Sequence, residues 1–295
     1  LNKLKYIDEV YESWPCEDLR DLMNGTAERY GDRAAYLVKD RPGGSYQPIS
    51  YRQLRRDITA FGTALLSLGL SQKKVAVIGE NRYEWVVAYM ATVCGVGVIV
   101  PIDRELAAQE IANLLDRSES SAIVYSGKME KTITDAIDAL GGIDIKVSMD
   151  APENSEGRYS MKALIASGIA MIEDGRKDYF RVEIDPNALC TLLYTSGTTG
   201  LAKGVMLSHK NITANIVGMQ EHCDARGKTV LDILPMHHTY EFSCGILGTM
   251  YQGCTIAICE GLKYVVKNMA ECKANVMLGV PLMFEKMHQK IWKQA

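Results

Sequence analysis

At 295 residues, 47% hydrophobic and 23% charged, the chain has enough apolar material for a large core and more than one folding unit. A formal net charge of −3, with no block of like charge, offers no basic face to a nucleic acid, so the expected partner is a small molecule. Eight cysteines lie scattered in apolar runs, without a Cys-x-x-Cys pair and without a signal peptide ahead of them, the usage of reduced core thiols in a cytoplasmic protein. Cys254 and Cys259 stand five apart on a predicted strand, so they point to opposite faces and make a poor metal site.

In chain order, a helix is expected around Leu19 to Tyr30, followed by a β-hairpin in which AAYLVK and SYQPI flank the turn DRPGG. A helix begins at Ser50, which pairs with Gln53 as a capping box. Leu54, Ile58, Phe61, Leu65 and Leu68 recur at helical spacing and Gly69 supplies the stop. Residues 85–102, WVVAYMATVCGVGVIVPI, have the length and lack of charge of a membrane span. Thr92, Gly95, Gly97 and Pro101 predict instead a buried helix from about Arg82 to Cys94, a glycine turn and a short strand, so no transmembrane segment is expected.

The β-branched runs at 75–78, 96–100, 122–125 and 145–147 alternate with helical segments, as in βαβ crossovers on a parallel sheet. Residues 150–187 are polar and turn-rich and read as a surface connection around one short helix. Further strands are expected at 188–194, 203–208, 229–234, 254–259 and 275–280, with helices after Ser208, Tyr240 and Glu260, and with Pro281 opening another. The fold class is therefore α/β with successive doubly wound layers, divided into an N-terminal helix and hairpin (1–49), a first α/β subdomain (50–187) and a second (188–295). The chain opens on Leu1 and closes inside a helical pattern at Ala295, so both ends look cut and a fragment of a longer protein is expected.

Residues 194–205 read YTSGTTGLAKGV. This is not a Walker loop, because Lys203 stands three past Gly200 and is followed by Gly204. The phosphate logic survives: Gly197 and Gly200 allow close backbone approach, Thr195, Ser196, Thr198 and Thr199 add hydroxyl donors, and Lys203 adds a cation. On composition alone a surface turn is the alternative. A second constellation, Pro235, Met236, His237, His238, Thr239 and Tyr240, follows a predicted strand, where a histidine pair can be a metal site or simply polar residues satisfied at a strand end.

TSGTTGLAKG resembles the phosphate-binding signature of the adenylate-forming (AMP-binding) superfamily, in which the position of Ala202 is most often proline. ISYRQL (49–54), GENRYEW (79–85), VPID (100–103), LSHKNI (207–212), LPMHHTYEF (234–242) and GVPLMFEKM (279–287) resemble stretches found in that order in these enzymes, above all in bacterial long-chain fatty acid CoA ligases. The resemblance implies two steps: a carboxylate and ATP give acyl-adenylate and pyrophosphate, and coenzyme A then takes the acyl group. It implies catalytic roles for Lys203 and His238, and nucleotide binding by Thr195, Ser196, Gly197, Thr198, Thr199, Gly200 and Lys203. Thr195 resembles a Mg²⁺ ligand, and His238, Tyr240, Phe242 and Val280 are implied to meet the acid, with Tyr240 or Phe242 as its gate.

Amino-acid-activating relatives place an aspartate near the histidines for the substrate ammonium. Here His237 and His238 favour a simple acid, with Glu241 as a possible substitute anion. A fatty substrate makes peripheral membrane contact plausible. The family's magnesium glutamate, ribose aspartate and lysine-bearing C-terminal domain would follow Ala295, so that domain is expected to be absent here and the isolated chain to adenylate weakly. Aryl or medium-chain acid activation and binding without turnover are the competing readings.

Overall fold

The computed structural model describes residues 12–195 and 202–292. Its strands are β1 (Ala34–Lys39), β2 (Tyr46–Ser50), β3 (Lys73–Ile78), β4 (Gly97–Ile102), β5 (Ser120–Tyr125), β6 (Ile145–Ser148), β7 (Tyr159–Ser160), β8 (Leu189–Thr195), β9 (Lys203–Ser208), β10 (Thr229–Asp232), β11 (Thr255–Ile258) and β12 (Val276–Met277). The α-helices are α1 (Leu19–Tyr30), α2 (Tyr51–Ser67), α3 (Tyr83–Ala91), α4 (Ala108–Ser118), α5 (Glu130–Leu140), α6 (Met161–Glu173), α7 (Asp178–Arg181), α8 (His209–His222), α9 (Thr249–Tyr251), α10 (Val265–Cys272) and α11 (Pro281–Trp292).

Two sheets organise these elements. One has seven strands in the order β7-β6-β5-β3-β4-β8-β9, the other five in the order β12-β10-β11-β1-β2. Alternation along β3 shows why the first sheet is covered on both faces. Val75 and Val77 face the main core with Leu54, Ile58 and Phe61 of α2 and with Trp85 of α3, while Ala76 and Ile78 face Ile111, Leu115, Ile133 and Ile137 of α4 and α5. Tyr36, Ile49 and Ile256 of the second sheet reach the same main core, so α1, α2 and α3 are sandwiched between the sheets. Leu231 and Ala257 turn outward against Val265 and Cys272 of α10. The result is a five-layer αβαβα stack.

Local signals hold where they are expected. The Ser50 hydroxyl accepts from Gln53 N at 3.1 Å to start α2, the first half of the expected capping box, while the Gln53 side chain turns to Asp57 instead of closing it; Gly69 ends that helix at φ +82°. The uncharged run at 85–102 is α3, one π-turn at 92–96 and β4, all interior, and no described helix is long and apolar enough to cross a membrane.

Three features differ from the sequence reading. The strands do not pair by the expected boundary at 187/188: β8 and β9 extend the first sheet, and the β1–β2 hairpin joins the second through a parallel pairing of β1 with β11. β9 also runs antiparallel to β8. The seven residues between these two strands are too few for a parallel crossover, which takes about a dozen. The stretch 150–187 also contains more than one short helix. α6 has 13 residues and packs on α2 so closely that a Cβ at Gly168 would meet the Ala60 carbonyl at 1.9 Å.

Candidate functional site

The site lies where the C-terminal ends of strands from both sheets converge, the usual ligand crevice of parallel α/β folds. β3 runs out into Asn81, β4 into Asp103, β8 into Thr195, and β10 into Asp232 and the segment 233–239. Asn81 ties the two sheets together. Its Nδ2 donates to Asp232 Oδ1 (2.9 Å) and Oδ2 (3.1 Å) and to the Leu234 carbonyl (2.6 Å), and its Oδ1 accepts from Met236 N (3.1 Å). One side chain thus fixes the path of the histidine segment, a role beyond the helix cap that GENRYEW suggests.

Thr195 is the exposed last residue of β8 and stands opposite Lys203, the exposed first residue of β9. The hairpin therefore presents a hydroxyl and an ammonium on either side of the loop opening. Ser196, Gly197, Thr198, Thr199 and Gly200 lie outside the described residues. Arg117 of α4 anchors the far side: its Nη1 donates to the Ala202 carbonyl at 2.8 Å, and its guanidinium lies 5.5 Å from the Tyr194 ring centroid. Nothing in the sequence pattern singles Arg117 out, because the contact spans 85 residues.

A small cavity is lined by Tyr89, Pro101, Thr191, Leu193, Leu207, Ile212, Met236, His237, Thr239, Phe242 and Ser243. Its open volume of about 10 Å³ is room for roughly one water. Its polar floor is the Tyr89 hydroxyl against Thr191 Oγ1 at 2.6 Å. Phe242 is buried, its ring 4.0 Å from Tyr89 and 5.1 Å from Trp85 between centroids, so it closes the cavity as part of an aromatic cluster.

The histidines separate into an inner and an outer ring. His237 lines the cavity, with Nε2 3.5 Å from Asp103 Oδ2 and no hydrogen-bond partner among the described residues. Burial pushes its pKa down to about 4, against the pull of Asp103, so the ring is neutral at physiological pH and the contact is not an ion pair. His238 is exposed, 4.4 Å from His237 between centroids, and its backbone N–H donates to the Pro235 carbonyl. Tyr240 is 54% exposed at the start of a π-helix (Tyr240–Gly248). Val280, at the head of α11, is exposed and does not line the cavity. Tyr89, Thr191 and Asp103 are thus the site residues that sequence reasoning passed over, and His237, noted only as one of a histidine pair, is the inner ring. Asp103 sits in the quoted VPID, but the cavity-lining role of the other three depends on packing.

Among the described residues no group of three or more His, Cys, Asp or Glu is placed to hold a metal. All eight cysteines are free thiols.

The family model of AMP-binding enzymes matches residues 24–294. The chain belongs to the AMP-binding enzyme family. A long-chain-fatty-acid–CoA ligase, ACSBG2, of Xenopus laevis is 29% identical over 98% of this chain and 40% of its own length. A chloroplastic long-chain-fatty-acid–[acyl-carrier-protein] ligase, AEE15, of Arabidopsis thaliana is 26% identical over 97% of this chain and 41% of its own. The crystal structure of a long-chain-fatty-acid–CoA ligase from Archaeoglobus fulgidus superposes with a TM-score of 0.82 at 20% identity, covering 99% of this chain and 57% of that one. The chain therefore has the fold of the N-terminal region of AMP-binding enzymes, and it spans about 40% of the length of the curated relatives it matches.

Proposed function

We propose that this AMP-binding chain forms the phosphate loop and part of the acid pocket of an ATP-dependent fatty acid ligase, which joins the acid to AMP and then passes it to coenzyme A. The observation that carries the reading is the signature TSGTTGLAKG between β8 and β9, two strands that set Thr195 opposite Lys203 and that also line, through Thr191, Leu193 and Leu207, a small cavity edged by His237. Attack of a carboxylate on the α-phosphate gathers negative charge and expels pyrophosphate. The Lys203 ammonium, the loop hydroxyls and the loop N–H groups are donors for those oxygens. The exposed His238 ring orients the carboxylate from outside. Neutral His237 presents an uncharged polar edge to the acid's first carbons, and Phe242 and Tyr240 gate the alkyl path.

Thr195, exposed at the strand end, fits a Mg²⁺ that takes most of its ligands from phosphates and water. That ion supplies charge neutralisation of the pyrophosphate. Eight free thiols support a reducing compartment such as the cytoplasm. Aryl or medium-chain acids are the second reading, because any acyl tail enters this narrow cavity only by displacing side chains such as Phe242 or Met236, and a shorter one displaces less.

The test is acid-dependent pyrophosphate exchange by the full-length protein over acids of graded length. K203A and T198A are expected to lose Mg-ATP affinity and turnover. Unchanged kinetics in both variants, or activity confined to amino acids, overturns the reading.

A further inference from the structure

Two carboxyl groups lie buried beside the histidine segment, and neither belongs to the chemistry described above. Asp232, at the end of β10, is wholly buried, and Glu241, in the first turn of the π-helix, is 1% exposed. The π-helix packs against β10, which brings the two carboxyls close enough for each to shift the other's proton affinity. Glu241 Oε2 receives no N–H or O–H from the described residues, whereas both Asp232 oxygens accept from Asn81. Two acceptors in contact need a proton between them, and the donor inventory puts it on Glu241. The π-helix makes room for this carboxyl only because residue 245 is glycine, where a Cβ would stand 2.4 Å from Glu241 Oε1.

We infer that Asp232 and Glu241 act as one positioning unit, an acid–carboxylate pair that shares a proton and clamps the start of the π-helix to β10, fixing His237 and His238 between them. The bracketing is direct: Asp232 precedes the histidines, Glu241 follows them, and Asn81 binds both Asp232 and the intervening backbone. Burial is the main cause of the upward shift of both carboxyls, and the like charge of Asp232 adds to that of Glu241. The titratable groups facing the pair are Tyr36 and Cys259 around Asp232 and Cys244 around Glu241. Burial raises all three, which disfavours their charged forms. No lysine or arginine among the described residues offsets the pair. The clamp therefore holds at neutral pH and opens when alkali removes the shared proton.

Only the catalytic consequence rests on the ligase reading, so the test uses two readouts that need no turnover, on the full-length protein as wild type, E241Q and E241A. Infrared spectra at neutral pH are expected to show the carbonyl stretch of a neutral carboxylic acid in wild type and its loss in both variants; no difference between wild type and E241Q refutes the shared proton. Nuclear magnetic resonance of the imidazole nitrogens is expected to show displaced His237 and His238 signals in E241A and near-native ones in E241Q, whose amide still donates to Asp232. Unmoved signals in E241A refute the positioning. In pyrophosphate exchange, E241Q is expected to retain about tenfold more turnover than E241A and to keep it to higher pH than wild type. Superimposable wild-type and E241Q pH profiles count against the clamp. Absence of exchange in every form removes the ligase reading, while the two spectroscopic outcomes still decide the clamp.

Discussion

Removing the Asn81 side chain tests the seam between the two sheets. Asn81→Ala deletes the contacts to both Asp232 oxygens, to the Leu234 carbonyl and from Met236 N. A hydrogen bond to a charged acceptor contributes about 1.5–3 kcal/mol and a neutral one about 1 kcal/mol. The largest loss falls on Asp232, because its carboxylate is fully buried and has no other side-chain N–H among the described residues. Asn81 itself is half-buried, so water recovers part of the difference. The expected cost is about 3 kcal/mol, or roughly 6–12 °C in melting temperature for a chain of this size. Denaturant unfolding followed by circular dichroism measures it, with Asp232→Ala and the double variant completing a cycle. A coupling of at least about 1 kcal/mol is expected for partners in direct contact. A single-variant loss below about 1 kcal/mol, or strict additivity in the cycle, would show that the Asn81 bridge does not hold the sheets together.

Three further outcomes follow from particular contacts. His237 has its pKa lowered from 6.5 to about 4 by burial, so the unfolded chain binds the proton first. Its contribution is complete above about pH 6.5 and is lost as the pH falls toward 4, by up to about 3 kcal/mol; the pH dependence of unfolding should flatten in that window in H237Q, and an unchanged slope would rule the burial effect out. Gly168→Val places side-chain atoms where even a Cβ would stand 1.9 Å from the Ala60 carbonyl; separation of α6 from α2 should cost several kcal/mol, about as much as severe overpacking, and a native melting curve would refute the close approach. Arg117→Ala removes the 2.8 Å bond to the Ala202 carbonyl and is expected to weaken ATP binding by about fivefold, the ratio for roughly 1 kcal/mol, with calorimetry as the check; undiminished affinity would mean that the anchor does not shape the loop.

How much of this was legible in the sequence depends on the range of the interaction. The hairpin at 34–50, the capped helix from Ser50 to Gly69 and the buried helix and strand hidden in 85–102 were all readable, because each is set within a few residues by turn chemistry, capping and hydrophobic period. The histidine segment was readable for the same reason: its residue types lie side by side in the chain.

The partnership of strands was not, because β1 meets β11 about 220 residues away and nothing local records it. The same holds for the inner histidine. His237 and His238 are neighbours with identical chemistry, and only the packing of Tyr89, Thr191 and Phe242 decides which ring is buried and neutral and which faces out. Nor does any short-range pattern place Asp232 against Glu241 and Asn81: a strand end, a π-turn and a loop from the other sheet have to converge before two carboxyls nine residues apart become a single proton-sharing pair. The sequence by itself determined the elements and the chemistry each carries. The tertiary structure decided which groups lose their water, and burial is what turns those residue types into a site.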